Sequence, residues 1–177
     1  LWTPLALGAS IFYMLHHILV ITSLFLVAGI FLRERRTTEL DALGGLYAGN
    51  PAVSALAMIP LFSLAGIPPL SGFVAKLAVV TSAFDTGHFI LAGVALLVGL
   101  MTVLSMARVW QEAFWKPAPV DASVAPVGGA MLAPIAGLAL LTLMLSLTAG
   151  PVFDLSTRAA TQLLDTGEYV RAVLGGG

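Results

Sequence analysis

No Asp, Glu, Lys or Arg occurs between Leu5 and Leu32, and the run stops abruptly at Arg33-Glu34-Arg35-Arg36. A helix needs about 20 mainly apolar residues to cross a bilayer, so this run is long enough on its own. In lipid every backbone polar group must be satisfied inside the segment, which favours helices over open strands. The same kind of run recurs along the chain. Asn50-Pro51 opens a second candidate span, since Pro suits the first helical position; it runs from Ala52 to about Ile67 and contains Pro60. Gly66-Ile67-Pro68-Pro69-Leu70-Ser71-Gly72 then interrupts any helix. A third, short span follows from about Leu70 to Phe84, a fourth from about His88 to Trp115, and a fifth from about Gly129 to Gly150. Polar loops separate them, one through Glu39, Asp41 and Gly44-Gly45, another through Pro117, Pro119, Asp121 and Pro126.

Composition agrees with lipid as the solvent. Charged residues make up 10% of the chain and hydrophobic ones 59%, where a soluble domain carries roughly 25% charge. The net charge of −1 offers no basic surface for nucleic acid. The chain has no cysteine, which excludes disulfides, Cys-zinc sites and thiol catalysis. It starts at Leu1 almost within an apolar run and shows no signal peptide, as expected for a piece of a longer chain. The expected fold is therefore an all-α integral membrane protein of about five transmembrane helices. One pair is broken or hairpin-like near Gly66–Gly72. Residues 1–150 form the bundle. Residues 151–177 form a separate amphipathic segment, in which Leu155, Leu163 and Leu164 alternate with Arg158, Asp165, Glu168 and Arg171, lying on the membrane surface or on a partner. If five spans alternate in direction, Arg33, Arg35, Arg36, Arg158 and Arg171 share one side, and Arg108 and Lys116 the other.

One charge does not fit the sorting of ions into loops. Lys76 stands inside Phe73-Val-Ala-Lys-Leu-Ala-Val-Val80. A charge at bilayer depth costs roughly 2.5–3.5 kcal/mol on insertion scales, so such residues are paired, hydrated or functional. Desolvation disfavours the charged form of lysine, and a lysine that loads and releases a proton is what a relay requires. The plainer alternative is a lysine that snorkels from a short helix to the interface. His16 and His17 lie near the middle of the first span, and imidazole passes protons through either nitrogen. Adjacent helical positions diverge by about 100°, so both cannot face one pathway. His17 shares a stripe with Tyr13 and Ser10, His16 one with Phe12 and Ser23; His17 is favoured as the relay. The alternative is a neutral histidine bonded to a neighbouring helix.

The Gly66, Pro68, Pro69 and Gly72 interruption adds a second clue. Short Gly/Pro-interrupted spans mark ion sites in transporters, where freed backbone groups and half-helix ends coordinate ions or water. A tight hairpin would give the same punctuation. Arg108 and Glu112, at i and i+4, suit an ion pair or a partner contact, and Trp110 and Trp115 an interfacial aromatic belt. Two adjacent histidines do not converge on a metal, and no phosphate or dinucleotide fingerprint is present, so no cofactor is expected.

Phe62-Ser-Leu-Ala-Gly-Ile-Pro-Pro-Leu-Ser-Gly-Phe-Val-Ala-Lys76 resembles the antiporter-like membrane subunits shared by Mrp-type Na⁺/H⁺ antiporters and respiratory complex I. Tyr13-Met-Leu-His-His-Ile-Leu-Val20, Leu43-Gly-Gly-Leu46, Arg108-Val-Trp-Gln-Glu-Ala-Phe-Trp115 and Gln162-Leu-Leu-Asp165 are similar too. Within the family the wording looks most like the D-type subunits of Mrp antiporters. The resemblance implies fourteen core helices with two inverted five-helix repeats, of which this chain would supply the last five. It makes Lys76 and His17 members of a central polar axis of proton transfer. It implies H⁺ and Na⁺ as transported ions, other antiporter subunits and membrane lipid as partners, and the bacterial or archaeal inner membrane as the location. Ile21 departs from the family, which carries a lysine there. The family also places the Arg33–Arg36 loop outside, whereas the positive-inside rule would put it in the cytoplasm. Two other functions fit the same local chemistry: a proton-pumping subunit of complex I or a membrane hydrogenase, and a non-conducting scaffold.

Overall fold

The computed structural model describes residues 2–35, 37, 39–118 and 127–165, and beyond them 167, 173 and 175. Expectations that involve Arg36, Pro119, Asp121, Pro126, Glu168 and Arg171 lie outside the described residues. The described chain is helical: α1 (Pro4–Arg35), a 3₁₀ turn (Leu40–Ala42), α2 (Leu46–Gly49), α3 (Pro51–Ala65), α4 (Ser71–Asp85), α5 (Phe89–Trp110) continued by a π turn (Gln111–Trp115), α6 (Gly129–Leu147) and α7 (Ala149–Leu164). Three of these are long and apolar enough to cross a membrane: α1, α5 with its π turn, and α6; α3 is a shorter apolar helix.

Packing divides the bundle into two levels. At one, Val27, Ile30 and Phe31 of α1 meet Val53 and Leu61 of α3, Trp110 at the end of α5, Phe114 of the π turn, and Ile135 of α6. At the other, Phe12 of α1 meets Ala75 of α4, Leu145 of α6 and Ala149 of α7. α3 therefore lies beside the C-terminal half of α1, and α4 beside its N-terminal half. The two are stacked along the bundle with the break between them, each about 22 Å long at 1.5 Å per residue against about 48 Å for α1. The 62–72 segment is thus a broken pair rather than a side-by-side hairpin.

This stacking corrects the expected sorting of charges. The alternation counted α3 and α4 as two full traverses and put Arg33 opposite Lys116. In the structure Lys116 Nζ donates to Asp41 O at 2.8 Å, and Gly45 N to Lys116 O at 2.6 Å. The C-terminal ends of α1 and α5 therefore share one end of the bundle. Arg158 belongs to the other end, because neighbouring Thr157 of α7 lies against Gly8 of α1.

α7 runs as one helix from Ala149 and packs along α1, with Ser156 and Ala160 buried and Phe153 edge-on to Phe12 at 5.9 Å. Leu155 and Leu163 are left exposed on its outer face. Trp110 is also corrected. It is buried, stacked on Phe114 at 4.4 Å and tilted against Phe62 of α3 at 5.9 Å. Trp115 alone of the two is exposed.

A candidate ion site at the helix break

The last four carbonyls of a helix have no partner inside it, and how α3 satisfies them builds the site. Gly66 turns into the left-handed region at φ +87°, a conformation that favours glycine. Its N–H donates to Phe62 O and Ser63 O, and Ile67 N also reaches Phe62 O. Pro68 and Pro69 have no N–H to offer. The two remaining carbonyls, Leu64 O and Ala65 O, accept from Lys76 Nζ at 2.9 and 2.8 Å. Lys76 therefore closes the C-terminal end of α3 from one turn inside α4. The negative end of the α3 dipole favours a cation there. The side chain is half-buried, with its ammonium held at the end of α3.

Two cavities meet at Lys76. One, of about 310 Å³, lies toward Ser10 and Tyr13 of α1 and Val98 and Thr102 of α5. The other, of about 250 Å³, lies toward Gly66 and Phe73 and toward Leu96 and Val103 of α5. Their α5 walls belong to a helix whose apolar side chains are largely uncovered, Leu97, Leu100 and Leu104 among them.

The two histidines part as helical geometry requires. His16 is 1% exposed. Its Nδ1 lies 3.0 Å from Ser71 Oγ, at the start of α4, and Ser71 Oγ lies 3.2 Å from Ser63 Oγ of α3. Ser71 N donates to Ser146 Oγ of α6 at 2.8 Å. Four helices are thus joined through one serine at the break. His17 is exposed and stacked on Tyr13 at 5.8 Å, and Tyr13 is edge-on to His16 at 6.0 Å. The stripe of His17, Tyr13 and Ser10 leads along α1 to the Lys76 cavity, while His16 faces the break itself. Gly72 permits this closeness: a Cβ there would run into Ser63 O and come within 3.0 Å of His16 Cε1.

Arg108 and Glu112 are not brought to this site, nor to each other. Glu112 pairs with Lys116 at 3.1 Å, because the π turn after α5 and the bond to Asp41 O fix the lysine beside it. Sequence reasoning did not single out Ser63, Ser71 as a hydroxyl, or Ser146. Their signal was present in small polar residues recurring inside apolar helices.

Residues 2–105 match the family described as NADH:quinone oxidoreductase/Mrp antiporter, transmembrane. The chain belongs to this family. Over 175 residues it is 41% identical to the D-type Na⁺/H⁺ antiporter subunit of Alkalihalophilus pseudofirmus, a match that covers 98% of this chain and 36% of that protein. It is 34% identical to the D-type Na⁺/H⁺ antiporter subunit of Bacillus subtilis, over 97% of this chain and 35% of that protein. The chain thus spans about a third of the length of these curated relatives. Its fold matches a chain of the Mrp complex from Dietzia sp. with a TM-score of 0.89 and 32% identity, covering 97% of this chain and 40% of that one.

Proposed function

We propose that this chain forms the C-terminal part of a D-type subunit of a multisubunit Na⁺/H⁺ antiporter and carries protons through a relay of Lys76, His16 and His17. The observation that carries the reading is the ammonium of Lys76 seated on two main-chain carbonyls at the break. A cation held at mid-bundle with no carboxylate paired to it among the described residues suits a group that receives and returns a proton. The similarity to Na⁺/H⁺ antiporter subunits of the D type supplies Na⁺ as the countertransported ion. Five helices, α1, α3, α4, α5 and α6, sit in the bilayer in this reading, with α3 and α4 sharing one crossing. The bundle of residues 1–150 would be followed by an interfacial segment, α7 turning Leu155 and Leu163 to lipid or to a neighbouring subunit. The location is the inner membrane of a bacterial or archaeal cell, with other antiporter subunits as partners.

His16 stands ahead of His17 in this relay, because its ring is bonded into the break. The test is Na⁺-driven proton flux in vesicles carrying the whole complex. His16→Ala is expected to lower the flux by at least ~100-fold, the low end for losing a proton-transfer group, and His17→Ala by much less. The reverse order would return His17 to first place. Electron-transfer-driven proton pumping without Na⁺ exchange would assign the chain to an oxidoreductase. An assembled complex with no flux would leave a scaffold.

Arg108 and Glu112 lie outside the relay. Glu112 and Lys116 are partly exposed, at 30% and 40% of their side chains, so their pair contributes about 1 kcal/mol or less. Glu112→Gln is expected to keep flux within twofold of wild type and to leave the melting temperature of the complex nearly unchanged.

A further inference from the structure

We infer that Ser71 is a positioning residue that sets the tautomer of His16, with Ser71 Oγ–H donating to Nδ1 and the ring proton carried on Nε2. Serines in apolar helices usually spend their hydroxyl hydrogen on a carbonyl one turn back. Ser10, Ser54, Ser146 and Ser156 do so here, to Ala6 O, Asn50 O, Thr142 O and Val152 O. Ser63 and Ser71 do not. Among the described residues the one hydrogen-bond partner of Ser63 Oγ is Ser71 Oγ, and Ser71 Oγ has only Ser63 Oγ and His16 Nδ1. Both serines are fully buried and His16 nearly so.

Counting hydrogens then decides the direction. A hydroxyl has one hydrogen, and a neutral imidazole has one N–H and one bare nitrogen. If Nδ1 is bare, Ser63 donates to Ser71, Ser71 donates to Nδ1, and both hydroxyl hydrogens are used; the ring hydrogen then sits on Nε2, which has no partner among the described residues but is not an enclosed atom, so water can take it. If Nδ1 carries the hydrogen, it donates to Ser71 and Ser71 to Ser63. The Ser63 hydrogen is then left without an acceptor in a buried site. An unmade buried hydrogen bond of that kind favours the first arrangement by on the order of tenfold or more. Ser71 is itself fixed, because its backbone N–H is held by Ser146 Oγ, which is anchored in turn to Thr142 O. The start of α4 thus presents its hydroxyl to His16 in one orientation. The proton the ring can hand on is then the one on Nε2.

The consequence for transport rests on the relay proposed above, but the tautomer does not. The test uses the whole complex in membranes with ¹⁵N-labelled histidine, His16 being assigned by comparison with His16→Gln. Magic-angle-spinning NMR of the neutral ring is expected to show Nδ1 bare and Nε2 protonated in the wild-type protein. Ser71→Ala is expected to move His16 toward a mixture of tautomers. Ser63→Ala, which removes a hydroxyl from the same node, is expected to keep Nε2–H, since Ser71 still donates to Nδ1. A protonated Nδ1 in the wild type overturns the inference, and needs no variant to be seen. An unchanged ring signal in Ser71→Ala overturns it as well. Flux measured on the same samples judges the relay separately: a changed tautomer with unchanged flux removes His16 from the relay and leaves its tautomer explained.

Discussion

Lys76→Ala is expected to abolish Na⁺/H⁺ exchange while the complex still assembles. Two opposing costs make the assembly nearly neutral. Removing the side chain leaves Leu64 O and Ala65 O without the donor they now share, and an unsatisfied buried carbonyl costs about 1–3 kcal/mol. The cavities of about 310 and 250 Å³ that meet there are large enough to admit water, which lowers that cost. The same substitution removes a charge whose placement at bilayer depth costs roughly 2.5–3.5 kcal/mol. The terms are of one size and opposite sign, so the effect falls on transport rather than on folding. Lys76→Arg separates the two roles of the lysine. A guanidinium can donate to both carbonyls but does not give up its proton in a protein. It is therefore expected to preserve the end of α3 and still fail to transport. Flux and the yield of assembled complex, measured side by side, check both. Full exchange in an assembled Lys76→Ala complex would end the relay reading.

The segments were legible because lipid imposes simple rules on sequence. Uncharged runs marked α1, α5 and α6, Asn50-Pro51 marked the start of α3, and Gly66 with the two prolines marked its end. Lys76 stood out because a charge in an apolar run is costly wherever the helix sits. What stayed hidden is what run length does not carry. Two short spans read the same whether they lie side by side or end to end; only contacts with Phe12 on one level and Phe31 on the other separate the cases. Periodicity established that His16 and His17 diverge, but not which of them faces the break. The serine node was concealed for a different reason. Small polar residues recur inside these apolar helices, but most serines there bond their own helix backbone, as Ser146 does at Thr142 O, so the sequence shows the hydroxyls without showing which of them also receives Ser71 N–H. Trp110 misled because Trp is common both at membrane interfaces and in cores.

Gly72→Ala is expected to be the most damaging of the Gly→Ala substitutions among the described residues. A Cβ at Gly72 would overlap Ser63 O and crowd His16 Cε1 at 3.0 Å. The first obstacle is backbone, which cannot rotate aside, so α3 and α4 must separate. Overpacking in a close-packed interior typically costs about 1–3 kcal/mol, occasionally more, and a clash with main chain belongs at the upper end of that range. The separation would also act at a distance from the methyl. The Ser71–Ser63 contact of 3.2 Å and the Ser71–His16 contact of 3.0 Å would open, and Lys76, one turn further along α4, would be drawn from Leu64 O and Ala65 O. Loss of exchange should therefore come with a lowered melting temperature and a poorer yield of complex, unlike the Lys76 variants. Gly93→Ala is the matched control. Nothing lies within 4 Å of a Cβ there, and alanine in a helix interior gains up to about 1 kcal/mol over glycine, so stability and exchange should stay at wild-type levels or better. If Gly72→Ala behaves like Gly93→Ala, α3 and α4 do not approach as closely as described, and the serine node and the seat of Lys76 fall with that approach.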